Sequence, residues 1–264
     1  MGPIAVSFPL ASVEVTMLAM VRIAAFLVIA PPFAHRSIPG RVKAMLAMGI
    51  ALAVSPRLVA AGDASGSTGA LVGSTGSFVS AIVLQVLVGG ALGFLVALVF
   101  AAVQAAGNLI DLFGGFQMAA AFDPMSQTSS AQFSRLYQLT AVVLLFASNG
   151  HQILISGLVR TFDALPLGAG LNLQVLSHVV TSGVTQMFIA SVQIAGPLMV
   201  VLFLTDVGLG LLTRVSPALN AFALGFPLKI LMTVTFGGFA YLAMPHVIDG
   251  LVTNAVHSVM GVTG

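Results

Sequence analysis

Residues 78–106 read FVSAIVLQVLVGGALGFLVALVFAAVQAA. No charged side chain interrupts the run, which exceeds the roughly 20 residues a helix needs to cross the hydrocarbon core of a bilayer. A helix satisfies its backbone hydrogen bonds internally, which is why lipid admits it. The stretch therefore predicts a membrane helix. Gly89, Gly93, Ala97, Ala101 and Ala105 recur at intervals of four inside it. Small residues at that spacing let a second helix backbone approach closely, so the stripe is expected to be a packing face.

The rest of the chain has the same character. Hydrophobic residues make up 58% of the 264 residues and charged residues 6%, with a mean hydropathy of +1.11. Soluble domains carry roughly 25% charged residues. The expected class is an all-α, polytopic membrane protein, with room for roughly five to seven helices of membrane length. Nine Lys and Arg give a net charge of +2. They form no cluster long enough to follow phosphates, so no nucleic acid is expected. Cysteine is absent, which excludes disulfides and thiolate metal sites. Met1 to Leu10 carries no basic residue, so the first apolar stretch is expected to be a retained helix, not a cleaved signal.

Apolar stretches are expected at residues 13–30, 44–61, 78–106, 136–158, 175–212 and 218–247. Pro31 and Pro32 end the first, since proline has no N–H to continue a helix. His35, Arg36, Arg41 and Lys43 follow in a short loop, which the positive-inside rule puts in the cytoplasm. Residues 62–77, rich in Gly, Ser and Thr, are expected to form an exposed loop. A further loop is expected around Phe162, Pro166 and Gly168, and a bend in 175–212 at Pro197. Residues 107–124 are apolar but glycine-rich and too irregular for a clean span. Such backbone is tolerated at membrane depth only inside protein or beside a water-filled path. Both an interfacial loop and a re-entrant gate fit that composition.

Four ionisable residues fall in apolar surroundings: Arg22, Asp111, Asp206 and Lys229. Each needs a partner, a watery cavity or a helix end within reach. Asp206 and Lys229 lie near facing ends of an expected hairpin around residues 214–217, where an ion pair would fix the hairpin. His151, after Asn149 and Gly150, is expected to cap or kink a helix. The five histidines show no i, i+4 pair. Nucleophile triads, phosphate loops and dinucleotide fingerprints are also lacking, so neither an enzyme nor a cofactor is expected.

Three stretches carry a family resemblance: GNLIDLFGGFQMAAAFDP (107–124), SNGHQILI (148–155) and PALNAFALGFPLK (217–229). With FAAVQAAG (100–107), FDALPLG (162–168) and the loop at 31–43, they resemble the FliR family of flagellar biosynthetic proteins. That family includes type III secretion counterparts (SctT). The resemblance runs over nearly the whole chain, and 217–229 is its most specific part. It implies a core subunit of the type III export gate in the bacterial inner membrane, within the flagellar basal body. One FliR copy there joins several copies of FliP and FliQ in a helical assembly around the path of unfolded flagellar export substrates. FlhB contacts the entrance, FlhA lies nearby, and the basal-body ring encloses the complex. Residues 1–174 would be a FliP-like part and 175–264 a FliQ-like helical hairpin, functionally one domain.

Within that resemblance, 107–124 matches the family's plug, a loop that helps close the empty channel. Leu112, Phe113, Gly114, Gly115, Phe116 and Met118 would form it, and Asp123 and Pro124 end the motif. Asn149, Gly150, His151, Asp206, Pro217, Asn220, Gly225, Pro227 and Lys229 are the other motif positions. The family commonly has Gly-Leu-Gln-Met-Gly where this chain has Asp111, Leu112, Phe113, Gly114 and Gly115. The seal is thus expected to rest on Phe113 and Phe116, and an aspartate inside it is unexpected. Ala218 replaces a frequent glutamine.

The competing reading is a proton-coupled or small-solute transporter, which would use Asp206, Lys229 and His151. Transporters often have two matching halves with broken helices. The small-residue stripe of 78–106 has no counterpart in the second half.

Overall fold

A computed structural model of the chain describes residues 10–65, 75–117, 131–168, 172–216, 224–238 and 250. Those residues form helices α1 (Leu10–Ile29), α2 (Gly40–Ser65), α3 (Thr75–Phe113), α4 (Gln132–Ala147), α5 (Gly150–Ala164) and α6 (Leu173–Val215). A shorter apolar helix, α7 (Leu224–Gly238), follows. The all-α expectation holds throughout them.

Helices α1, α2, α3 and α6 are each long and apolar enough to cross a membrane, and the broken pair α4 and α5 offers a fifth span. The chain is a polytopic helical membrane protein. Its two longest helices exceed a single crossing. With 39 and 43 residues, α3 and α6 are about 58 Å and 64 Å long at 1.5 Å per residue, against a hydrocarbon core of about 30 Å. Each is therefore longer than one perpendicular crossing requires.

The chain divides into two compact units built from interleaved segments. The first contains α1, α2, α3 as far as Ala97, α5 from His151 and the start of α6. Its core follows one stripe of α1, with Leu18, Ala19, Ile23, Phe26 and Leu27 buried. Those positions repeat at the spacing that puts side chains on one helix face. The stripe packs on α2, which buries Ala47, Ala51 and Leu58. The opposite face of α2 exposes Met45, Met48 and Leu52.

The second unit contains the rest of α3, α4, most of α6 and α7. Ala102, Val103, Ala106 and Ile110 of α3 are fully buried, as is Tyr137 of α4. On α6 the buried set is Ala190, Ser191, Ile194, Ala195, Leu198 and Leu202, a narrow stripe. Phe188, Val200, Phe203, Leu204 and Leu211 of the same helix are exposed. Exposed apolar side chains at that density suit lipid or other protein, not water.

Four boundaries differ from the sequence-based expectation. Residues 62–65 and 75–77, expected to belong to a loop, are helical, because α2 runs to Ser65 and α3 starts at Thr75. Residues 107–113, expected to be irregular, continue α3. A glycine disfavours helix by about 1 kcal/mol relative to alanine, and the packing at Gly107 described below outweighs that. Phe162 belongs to α5 and is buried, not in a loop. The apolar stretch 136–158 is broken at Ser148 and Asn149 into α4 and α5. Met118, Asp123, Pro124, Pro217 and Asn220 lie outside the described residues.

Candidate functional site

The last two turns of α3 are fastened to the start of α4. At Gly107 the backbones touch: a Cβ there would collide with the Cα and nitrogen of Ser134. One turn later, the fully buried Asp111 turns its carboxylate onto the first turn of α4. Phe133 N–H donates to Oδ1 at 2.9 Å and Ser134 N–H to Oδ2 at 3.0 Å. The first amides of a helix have no partner within it. The N-cap residue here, Ala131, makes no side-chain cap, and Asp111 takes that role from 22 residues away. An ionised carboxylate suits the place, since the helix N-terminus carries partial positive charge.

After Phe113 the chain turns. Gly114 N–H donates to Ile110 O at 2.8 Å and Gly115 N–H to Leu112 O at 3.3 Å. Gly115 has φ of 82°, a left-handed conformation that glycine adopts without the penalty of a side chain. A Cβ on Gly114 would lie 2.7 Å from Thr233 Oγ1 of α7. Gly115 faces the ring of Phe226. Phe116 then meets Phe133 edge to face at 5.4 Å between centroids, and Phe133 meets Tyr137 at 6.2 Å. Gly237 of α7 leaves room for the Phe133 ring, which lies 3.0 Å from where a Cβ would stand. Thus Gly114 and Gly115 are buried, Phe113 and Phe116 half-buried, and Leu112 exposed.

The other motif residues occupy identifiable places. Lys229 Nζ lies 2.7 Å from Asp206 Oδ1, joining α7 to α6. Gly225 approaches Leu209, and Pro227 is the fourth described residue of α7. Asn149 has φ of 57°, and asparagine is one of the few residues with a side chain that visit this region routinely. It ends α4. Gly150 then starts α5 with no room for a Cβ, which would be 2.9 Å from Leu145 Cδ1. His151 is half-buried in the first turn of α5.

Sequence reasoning flagged Arg22 without locating its partners. The guanidinium is fully buried. Its Nε donates to Gln85 Oε1 at 2.7 Å, Nη1 to Thr161 O at 3.2 Å, and Nη2 to Leu165 O at 2.9 Å. Phe162 lies under it, 4.3 Å from Cζ to the ring centroid. Gln85 Nε2 in turn donates to Leu167 O at 3.1 Å. Arg22 thereby caps the C-terminal end of α5 with a positive charge, as the helix dipole favours.

The small-residue stripe divides. A Cβ on Gly89 would collide with the carbonyl oxygen of Arg22, and one on Gly93 would lie 2.9 Å from Phe26 O. α1 and α3 therefore touch backbone to backbone at those two glycines. Ala97, Ala101 and Ala105 are only half-buried. Among the described residues, no three His, Asp or Glu side chains gather to hold a metal ion.

A sequence model of the family described as "Bacterial export proteins, family 1" matches residues 13–255. The flagellar biosynthetic protein FliR of Escherichia coli is 36% identical over 217 residues, covering 82% of this chain and 80% of that protein. FliR of Bacillus subtilis is 29% identical, covering 81% of each. The similarity extends to the surface presentation of antigens protein SpaR of Shigella sonnei, 27% identical over 57% of this chain and 58% of that protein. With a match that runs through α1 and on past α7, the chain belongs to the bacterial export proteins, family 1.

Proposed function

We propose that the chain is a core subunit of a type III protein export gate, flagellar in use. In this reading it joins FliP and FliQ as a single copy and helps form the channel for unfolded export substrates across the bacterial inner membrane. Residues 1–174 act as the FliP-like part and 175–264 as the FliQ-like hairpin, with FlhB, FlhA and the basal-body ring as neighbours. Family membership along the chain and the similarity to flagellar proteins support the assignment.

The structural observation that carries it is the glycine turn after α3. A pore for an unfolded chain must open widely yet hold ions back when empty. Bulky apolar side chains exclude water, and adjacent glycines let the backbone turn sharply. Leu112, Phe113 and Phe116 supply the first property, and Gly114 and Gly115 the second. These residues form the part of the plug that lies among the described residues. The length of α3 and α6, together with the apolar side chains they expose, suits helices packed in an assembly that extends beyond the bilayer.

The test is co-purification with FliP and FliQ, followed by conductance of the assembled complex in a planar bilayer. Deleting residues 112–116 is expected to leave assembly intact and make the empty complex leak ions. Unchanged conductance of an assembled deletion complex overturns the plug assignment. A chain that purifies alone and binds a small solute supports a transporter instead.

A further inference from the structure

We infer that Asp111 is the positioning residue of this closure: its carboxylate clasps α3 to α4 and so sets Phe116 against Phe133. The inference rests on the plug reading and adds to it a residue outside the apolar seal.

The clasp is built from groups whose positions are mutually constrained. Asp111 is fully buried and holds the amides of Phe133 and Ser134. Counted from Ala131 as N-cap, these are the second and third residues of α4. They are the donors that an N-capping side chain normally takes. Here the helix's own N-cap residue has nothing to offer them, so among the described residues their cap comes from α3. Capping and tethering become one interaction.

The bonded residue is also the one the aromatic contacts use. Phe133 receives Phe116 edge-on from the chain just beyond the glycine turn. On its other side it touches Tyr137 and leans on Gly237 of α7. Four residues before Asp111, Gly107 brings the two backbones into contact. The carboxylate therefore fixes the backbone from which the Phe133 ring projects, at a joint already held at Gly107. Losing the carboxylate would leave one buried and one half-buried amide without this acceptor and free the ring that supports Phe116. Water and ions would then pass the apolar contact.

The experiment separates a clasp from a plain helix cap. The assembled complex carrying Asp111→Ala is compared with one carrying Asp111→Ala and Ala131→Ser together. In the double variant the introduced hydroxyl caps α4 locally, while the tie to α3 remains cut. Amide exchange at Phe133 and Ser134 reports the cap, and planar-bilayer conductance reports the seal. The expected result is fast exchange and a leak in the single variant, and slowed exchange with the leak persisting in the double variant. A tight seal in the double variant overturns the inference, because capping alone would then account for Asp111. A tight seal in the single variant overturns it as well. Should Asp111→Ala fail to assemble, Asp111→Leu keeps the side-chain bulk and offers no acceptor, and a tight seal with it overturns the clasp. The deletion of 112–116 is run alongside: if that complex is tight, the plug reading fails, whatever Asp111 does.

Discussion

Lys229 of α7 and Asp206 of α6 meet at 2.7 Å, with Lys229 the less exposed partner and Asp206 nearly half exposed. Each neutralises the other, which answers the need of an ionisable group in an apolar helix. A pair so satisfied holds a hairpin, whereas a relay needs further groups to pass a proton along. Partly exposed ion pairs contribute about 0–1 kcal/mol. Asp206→Asn should therefore lower the melting temperature of the detergent-solubilised complex only slightly, and the exchange Asp206→Lys with Lys229→Asp should restore it. The neutral double variant Asp206→Asn, Lys229→Met should still support export in a motility assay. Loss of motility in an assembled neutral variant would favour the transporter reading.

A larger effect is expected at Arg22. Its removal strands Gln85 Oε1 and weakens the satisfaction of the Thr161 and Leu165 carbonyls, all at a buried site. A buried polar group left without its partner costs about 1–3 kcal/mol. Arg22→Met should thus cost on the order of 3 kcal/mol in total, read as a marked loss of thermal stability and of folded yield. Arg22→Lys should rescue little, because an ammonium lacks the planar fork that reaches three acceptors at once and lies flat on Phe162. Near wild-type melting of Arg22→Lys would mean that charge alone, not the fork, holds α1, α3 and α5.

Why the sequence revealed some of these relationships and hid others follows from distance along the chain. Asp206 and Lys229 are 23 positions apart on helices that follow one another in the chain, so the expectation of a hairpin suffices to predict the pair. Arg22 draws on residues 63, 139 and 143 positions away, and nothing local points to them. Asp111 stands out as a charge in an apolar stretch, but the two amides it holds are 22 and 23 positions away. The small-residue stripe meets a neighbouring helix of this chain at its two glycines, and its three alanines stay half-buried. Steps of four advance about 400° around a helix, so each step drifts about 40° from the face. Gly89 and Gly93 meet α1, and the alanines beyond have rotated towards partial exposure. The end of α3 was misread because glycines signal irregularity, although Gly107 serves close helix packing.

The two glycines of the turn should fail for different reasons. A Cβ on Gly115 would make ordinary van der Waals contact with Phe226, no nearer than 3.7 Å, but its φ of 82° disfavours any side chain. Gly115→Ala should cost about 1–2 kcal/mol through the backbone alone, and no change at Phe226 should relieve it. Gly114 faces a steric limit instead, with Thr233 Oγ1 2.7 Å and Ile110 O 2.8 Å from a Cβ. Adding Thr233→Ala to Gly114→Ala removes the first obstacle and leaves the second, so the double variant should recover part of the stability lost by the single one. A double-mutant cycle read by thermal melting of the complex measures this coupling. Additive losses would mean that Thr233 yields without help and that the turn is set by its own backbone rather than by α7.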